Sequence, residues 1–251
     1  MNVTLLGHYD IASLYALDRV IRLMPEHRYS VFLSGDLITP SALDDRLEKL
    51  ARVDEHLCER FIAGDLVGPI SRELALLPEL TQPNSKQGLQ KIRSLRPDLV
   101  VSIRYRRILH PDFIRVAKHG VINLHSGILP DYRGVMATFW AMLAGEPEIG
   151  TTLHRIVDAG IDTGPVIEIN RRETRPTSSY LANVIGLYAD GCDAIIRALR
   201  TFSTIGTLIG DPQIKVGQYF AAPDSAAVTR YESSGFALFD GREDLEFGSR
   251  H

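Results

Sequence analysis

Short apolar runs set between stretches of helical periodicity constrain this chain more than any other feature. Val3 to Leu6 ends at Gly7, and from Asp10 the residues Ile11, Leu14, Tyr15, Leu17, Val20 and Ile21 recur at helical spacing. Tyr29 to Leu33 reads as a second strand. Pro40 and Ser41 supply a helix start, and Leu43, Leu47, Leu50, Val53 and Leu57 carry a helical stripe through Cys58. Gln87 to Leu95 reads as a helix closed by Pro97, Asp98 to Ile103 as a further strand, and Asp112 to Val116 as a short helix. This alternation predicts an α/β protein with a mostly parallel central sheet. Between Gly64 and Pro83, interrupted by Pro69, Pro78 and Pro83, the sequence supports no assignment.

The stretch from His119 to Gly164 carries the densest signal. Val121 and Ile122 lead into Asn123 and His125. A loop punctuated by glycine and proline follows, then Met136, Phe139, Trp140 and Leu143 at helical spacing. Gly150 to Val157 and Val166 to Ile169 read as neighbouring strands, joined by a turn that holds Asp158, Gly160, Asp162 and Gly164. Two polar residues at a strand end and a loop carboxylate can therefore converge. Taken singly they prove little, because a lone His or Asn at a strand end is more often a satisfied structural group. The glycines let the turn adopt positive φ and bring its backbone close to a ligand. Ser178 to Phe202 reads as a long helix covering the sheet, and Gly217 to Pro223 as a strand-turn element followed by a polar tail.

Composition narrows the choices. With 251 residues the chain accommodates one α/β domain plus an appendage, and its 45% apolar content is that of a globular protein. The apolar runs fall short of the ~20 residues a membrane helix needs, and the opening MNVTLLGHYD has no cationic leader, so a cytoplasmic location is the expectation. Cys58 and Cys192 are far apart and lack metal-ligand spacing, which gives neither a disulfide framework nor a metal site support. A net charge of −3 argues against a nucleic-acid partner. Gly7-His8-Tyr9-Asp10 has a single glycine, so neither a dinucleotide fingerprint nor a phosphate-cradling loop is present. Of two basic clusters, Arg171, Arg172 and Arg175 reads as a solvated face with Glu173 interleaved, while Arg104, Arg106 and Arg107 stays open.

At the words NLHSGILPDYRG and DAGIDTG the chain resembles the formyltransferases that use 10-formyltetrahydrofolate, a family that includes glycinamide ribonucleotide, methionyl-tRNA and sugar-nucleotide amine transformylases. The resemblance is strongest from Asp98 to about Ile169. It implies a Rossmann-like formyltransferase fold with a short C-terminal extension: residues 1–205 as the catalytic domain and 206–251 as a strand-turn extension and tail. It also implies an enzyme with Asn123, His125 and Asp162 as the chemical groups, Asp158 less central, and His154 in a structural role. One departure is visible: Ser126-Gly127-Ile128-Leu129-Pro130 stands where the family usually has a Ser-Leu-Leu-Pro-like run.

For the cosubstrate, the resemblance points to Arg104, Tyr105, Ile108, Gly127, Leu129, Pro130, Asp158 and Gly160 as folate contacts, with no metal required. Tyr105 reads equally well as a filler of a loop-to-helix joint. For the acceptor, it points to Arg106, Arg107 and Arg133 and to a small-molecule amine, with a nucleoside diphosphate amino sugar the leading expectation. The missing phosphate loop disfavours glycinamide ribonucleotide. The charge, and the absence of a basic C-terminal domain like that of the tRNA enzymes, disfavour tRNA. A siderophore hydroxyornithine acceptor and a folate-binding module without turnover are the alternatives. Sugar-modifying members are often homodimers, and the oligomeric state here stays open.

Overall fold

A computed structural model describes residues 1–35, 44–74 and 77–248. The elements, in chain order, are β1 (Asn2–Gly7), α1 (Ile11–Leu23), β2 (Arg28–Leu33), α2 (Asp45–Ala63), α3 (Lys86–Leu95), β3 (Leu99–Ile103), α4 (Pro111–Ile114) and β4 (Val121–His125). They continue with β5 (Tyr132–Gly134), α5 (Ala137–Leu143), β6 (Glu148–Ile156), β7 (Val166–Glu173), α6 (Tyr180–Ile205), β8 (Gln218–Phe220), α7 (Ser225–Ser233) and α8 (Leu245–Gly248). The predicted helix start at Pro40 and Ser41 lies outside the described residues. The described helix is capped by Asp44, whose side chain accepts from the Arg46 N–H.

Six strands form one sheet in the order β2-β1-β3-β4-β6-β7. The first four are mutually parallel, while β6 runs antiparallel to both β4 and β7. Alternation along each strand distributes side chains to the two faces. Leu5, Val101, Ile122 and Leu124 join the cluster under α1 and α6, whereas Leu6, Val100 and Val121 join Ile92, Phe113 and Ile114 on the other face. The sheet is therefore covered on both sides by helices, the architecture expected of a parallel sheet. Among the described residues, no helix is long and apolar enough to cross a membrane.

Two features depart from the sequence reading. Residues 206–248 are more than a strand-turn and a polar tail. Their helix α7 buries Ala227, Val228 and Tyr231, the only apolar face its composition offers, and the Tyr231 ring stacks on Phe139 with centroids 4.4 Å apart. The second feature is a small two-stranded sheet in which β8 runs parallel to β5, pairing Tyr132 with Gln218 and Gly134 with Phe220. The C-terminal segment is thereby stitched to the loop that follows β4. Cys58 on α2 and Cys192 on α6 are both fully buried, and burial raises both thiol pKa values.

Candidate active site

Strand register assembles the polar cluster. Asn123 and His125 are two residues apart on β4 and so share one face. Asn123 is opposite Ser102 on β3 and His154 on β6. The Ser102 hydroxyl donates to Asn123 Oδ1 at 2.8 Å, and Asn123 Nδ2 lies 3.1 Å from His154 Nε2 and 3.5 Å from Asp162 Oδ1. Because a carboxylate only accepts, the nitrogen end of the Asn123 amide is the one that faces Asp162.

His125 is held from both ends. Its Nε2–H donates to the Tyr132 carbonyl at 2.7 Å, and its Nδ1 faces Asp162 Oδ2 at 3.5 Å. Nδ1 is thus the atom able to carry a proton toward a ligand. Gly127 makes this packing possible, since a Cβ there would fall 2.5 Å from the Tyr132 carbonyl oxygen and 2.6 Å from His125 Nε2. The loop is fastened further by Thr152, whose hydroxyl donates to the Gly127 carbonyl at 2.7 Å and accepts from the Leu129 N–H at 3.1 Å.

Asp162 reaches the same point from the β6–β7 turn. Its carboxylate accepts from the Gly134 N–H at 2.9 Å and lies 3.3 Å from His154 Nε2. Burial disfavours its charge, but His125, His154 and the Gly134 N–H outweigh that and hold its pKa below the usual carboxylate range. The side chains of His125 and Asp162 are only 8% and 10% exposed, so water has little access.

The turn's geometry corrects one expectation. Positive φ falls on Asp162 itself, at +54°, rather than on its glycines. Asp tolerates the left-handed region better than most residues. Gly164 serves close approach instead: a Cβ there would sit 1.7 Å from the Arg155 carbonyl oxygen. Asp158, exposed, accepts from the Gly160 N–H at 2.7 Å and shapes the turn. His154, read from sequence as structural, stands inside the cluster. Only the antiparallel β4–β6 register, which sequence spacing does not reveal, places it opposite Asn123.

The remaining sequence candidates spread around this centre. Arg104, also at positive φ, places Nε 2.8 Å from both oxygens of the buried Asp10, and Arg106 lies 3.6 Å from the same carboxylate. Tyr105 is turned inward, its hydroxyl donating to the Leu80 carbonyl. Arg107 Nε donates to the Ser34 carbonyl at 3.1 Å. Ile108 is half exposed and Leu129 buried, and the Leu129–Pro130 bond is cis. Arg133 donates to the Ile161 carbonyl at 3.0 Å and the Gly217 carbonyl at 3.1 Å, tying the Asp162 turn to the C-terminal segment. Among the described residues, no group of His, Cys, Asp and Glu is arranged to hold a metal.

The Asp10–Arg104 pair has an acidic neighbour that sequence reasoning missed. Asp54 on α2 accepts from the Ile11 N–H at 3.1 Å, and burial followed by repulsion from Asp10 raises its pKa to about 7. An acid whose folded pKa exceeds its unfolded value, ~3.9, makes the folded state lose stability as pH rises between them. That cost is absent below about pH 4 and complete above about pH 7. Asp54→Asn is therefore expected to raise Tm at pH 8 and leave it unchanged at pH 4. On the order of 2 to 4 kcal/mol corresponds to roughly 5–10 °C in a chain of this size. Thermal melts of both proteins at the two pH values check this, and a gain of equal size at both would contradict the shift.

The formyl transferase family model matches residues 75–180, the segment that holds Asn123, His125, His154 and Asp162. Methionyl-tRNA formyltransferase of Thermodesulfovibrio yellowstonii is 36% identical over 165 residues, covering 60% of this chain and 53% of that protein. The chain thus spans about half the length of the methionyl-tRNA formyltransferases it matches. A sugar N-formyltransferase from Shewanella sp FDAARGOS_354 shares the fold with a TM-score of 0.60 at 14% identity, over 88% of this chain and 76% of that one. The formyltransferase PseJ from Anoxybacillus kamchatkensis, solved with UDP-4,6-dideoxy-4-formamido-L-AltNAc and tetrahydrofolate, matches at a TM-score of 0.54 and 20% identity over 98% of this chain and 97% of that one. Sheet order and these likenesses agree, and residues 75–180 of the chain match the formyl transferase family.

Proposed function

We propose that this protein transfers a formyl group from 10-formyltetrahydrofolate to a primary amine, and that the acceptor is an amino sugar linked to a nucleoside diphosphate. The observation that carries the reading is the meeting of the Asn123 amide, the His125 imidazole and the Asp162 carboxylate at the end of β4, with separations of 3.5 Å from Asp162 to each of the other two. Formyl transfer needs an uncharged amine, donors for the oxyanion that develops at the formyl carbon, and a route for the amine's proton. Asn123 Nδ2 and a protonated His125 Nδ1 supply the donors, the second charge-assisted. Asp162, ionised at neutral pH by its depressed pKa, places a negative charge 3.5 Å from His125 Nδ1 and stabilises positive charge that develops there as the amine's proton is relayed away.

The proposed folate contacts are the segment from Arg104 to Ile108 (Arg104, Tyr105 and Ile108), the loop residues Gly127, Leu129 and Pro130, and the turn residues Asp158 and Gly160. These segments lie beside the strand ends where open α/β sheets bind ligands. Arg106, the most exposed of Arg106, Arg107 and Arg133, is the cation proposed to meet a diphosphate. Structural neighbours that are sugar N-formyltransferases over nearly the whole chain support this acceptor, including one in complex with a UDP-linked formamido sugar. A second reading, methionyl-tRNA formylation, is favoured by the sequence relatives, at 36% and 33% identity.

The test is tetrahydrofolate release with 4-amino-4,6-dideoxyhexose nucleotides, free amino sugars, hydroxyornithine and aminoacylated initiator tRNA. The sugar nucleotide is expected to exceed the others in kcat/KM by about 100-fold, the scale of a few specific binding contacts. Turnover confined to tRNA or hydroxyornithine would reject the acceptor and keep formyl transfer. Calorimetric binding of 5-formyltetrahydrofolate without turnover on any amine would leave a folate-binding module.

A further inference from the structure

We propose that Gln213, which lies beyond the matched segment 75–180, is a positioning residue that holds the Asp162 turn in its working conformation. Its side-chain Nε2 donates to the Asp162 carbonyl at 2.9 Å and to the Gly164 carbonyl at 2.9 Å. Both amide hydrogens are therefore spent on the turn, one of them on the residue that bears the site's carboxylate. That residue sits at φ +54°, a left-handed conformation that is unfavourable for a residue with a Cβ and persists only where its surroundings impose it.

The segment carrying Gln213 is anchored on both sides. Asp211 exchanges backbone hydrogen bonds with Val166 at 2.7 and 2.8 Å, and the Gly217 carbonyl accepts from Arg133 at 3.1 Å. Between these anchors Ile214 and Val216 are 103% and 87% exposed, so the segment contributes little to the core there. Its hold on the turn is polar and directional. Losing it frees the turn without removing buried apolar contacts, and a carboxylate displaced by about 1 Å can cost as much as a hundredfold in rate.

The test has two arms, and only the kinetic arm rests on the formyl-transfer reading. In amide hydrogen exchange, Gln213→Ala is expected to speed exchange about tenfold in the peptide spanning 158–166 and to leave other peptides unchanged. Gln213→Glu keeps the shape, loses the donors and should do the same. In kinetics, Gln213→Ala is expected to lower kcat about 10- to 50-fold with KM for 10-formyltetrahydrofolate within about threefold. In an Asp162→Asn background the same change should cost less than about threefold, because a residue that acts through Asp162 has nothing left to position. Equal losses in both backgrounds, or unchanged exchange across 158–166, would overturn the proposal. If the unmodified protein formylates no amine, the exchange arm still decides whether Gln213 holds the turn.

Discussion

Asp162→Asn is expected to lower turnover by two or more orders of magnitude, the scale on which removing a general acid/base or an oxyanion donor acts. The carboxylate is 3.5 Å from His125 Nδ1 and 3.3 Å from His154 Nε2, a negative charge beside both rings. An amide in its place keeps the volume and an acceptor for the Gly134 N–H, but it withdraws the negative charge that stands beside both rings. Asn123→Ala removes a donor from the same point and should fall in the same range, about a hundredfold. Asp158→Asn should cost no more than a few-fold in turnover, because that side chain is exposed and its contact with the Gly160 N–H is local to the turn. Steady-state release of tetrahydrofolate from the folded variants measures all three. Were Asp158→Asn the more damaging of the Asp changes, the roles within the turn would be reversed.

The largest effect on stability is expected at Asp10. Its carboxylate accepts from the Ser13 N–H at 2.8 Å to cap α1 and receives Arg104 Nε at 2.8 Å on each oxygen, with 3% of the side chain exposed. Burial raises the pKa of Asp10, yet Arg104, Arg106 and His8 together bring it below the ordinary value. Removing one partner of such a pair leaves the other charge buried, a loss of about 3–5 kcal/mol, with roughly 1 kcal/mol more for the cap. Relief of Asp54, which Asp10 repels, offsets part of this. Asp10→Ala should therefore destabilise the fold by about 3 kcal/mol, or roughly 6–12 °C in Tm. Asp10→Asn retains a capping oxygen and should fall between. Denaturant melts decide the matter, and a loss below about 1 kcal/mol would mean that Arg104 finds another partner.

The strands, long helices and polar centre were legible because their signals are local. Runs such as Val3 to Leu6 and Asp98 to Ile103 are short, apolar and flanked by helical periodicity, so tertiary context had little to override. The spacing of Asn123 and His125 and the words around Asp162 were likewise visible. What escaped depends on contacts between distant residues. His154 joins the centre through a strand register, and Asp10 meets Arg104 across 94 positions of sequence. The strands β5 and β8, three residues each, are too short to show alternation. Helix α7 presents only Ala227, Val228 and Tyr231 as buried residues, a signal too thin to separate from a polar tail. The turn glycines were read for their φ freedom, whereas the packing of Gly164 against the Arg155 carbonyl made closeness the operative constraint.

The enclosed cysteines bear on how the protein meets oxidants. Electrophiles and peroxides attack thiolates, and both sulfurs are held as thiols away from solvent, Cys58 against α1 and α6 residues and Cys192 within 3.5 Å of the Ala16 carbonyl. The polar centre itself contains amide, imidazole and carboxylate groups and no sulfur. Redox damage at cysteine therefore reaches this chain through transient unfolding of its helices, so resistance to thiol oxidation is set by conformational stability rather than by the chemistry at the end of β4.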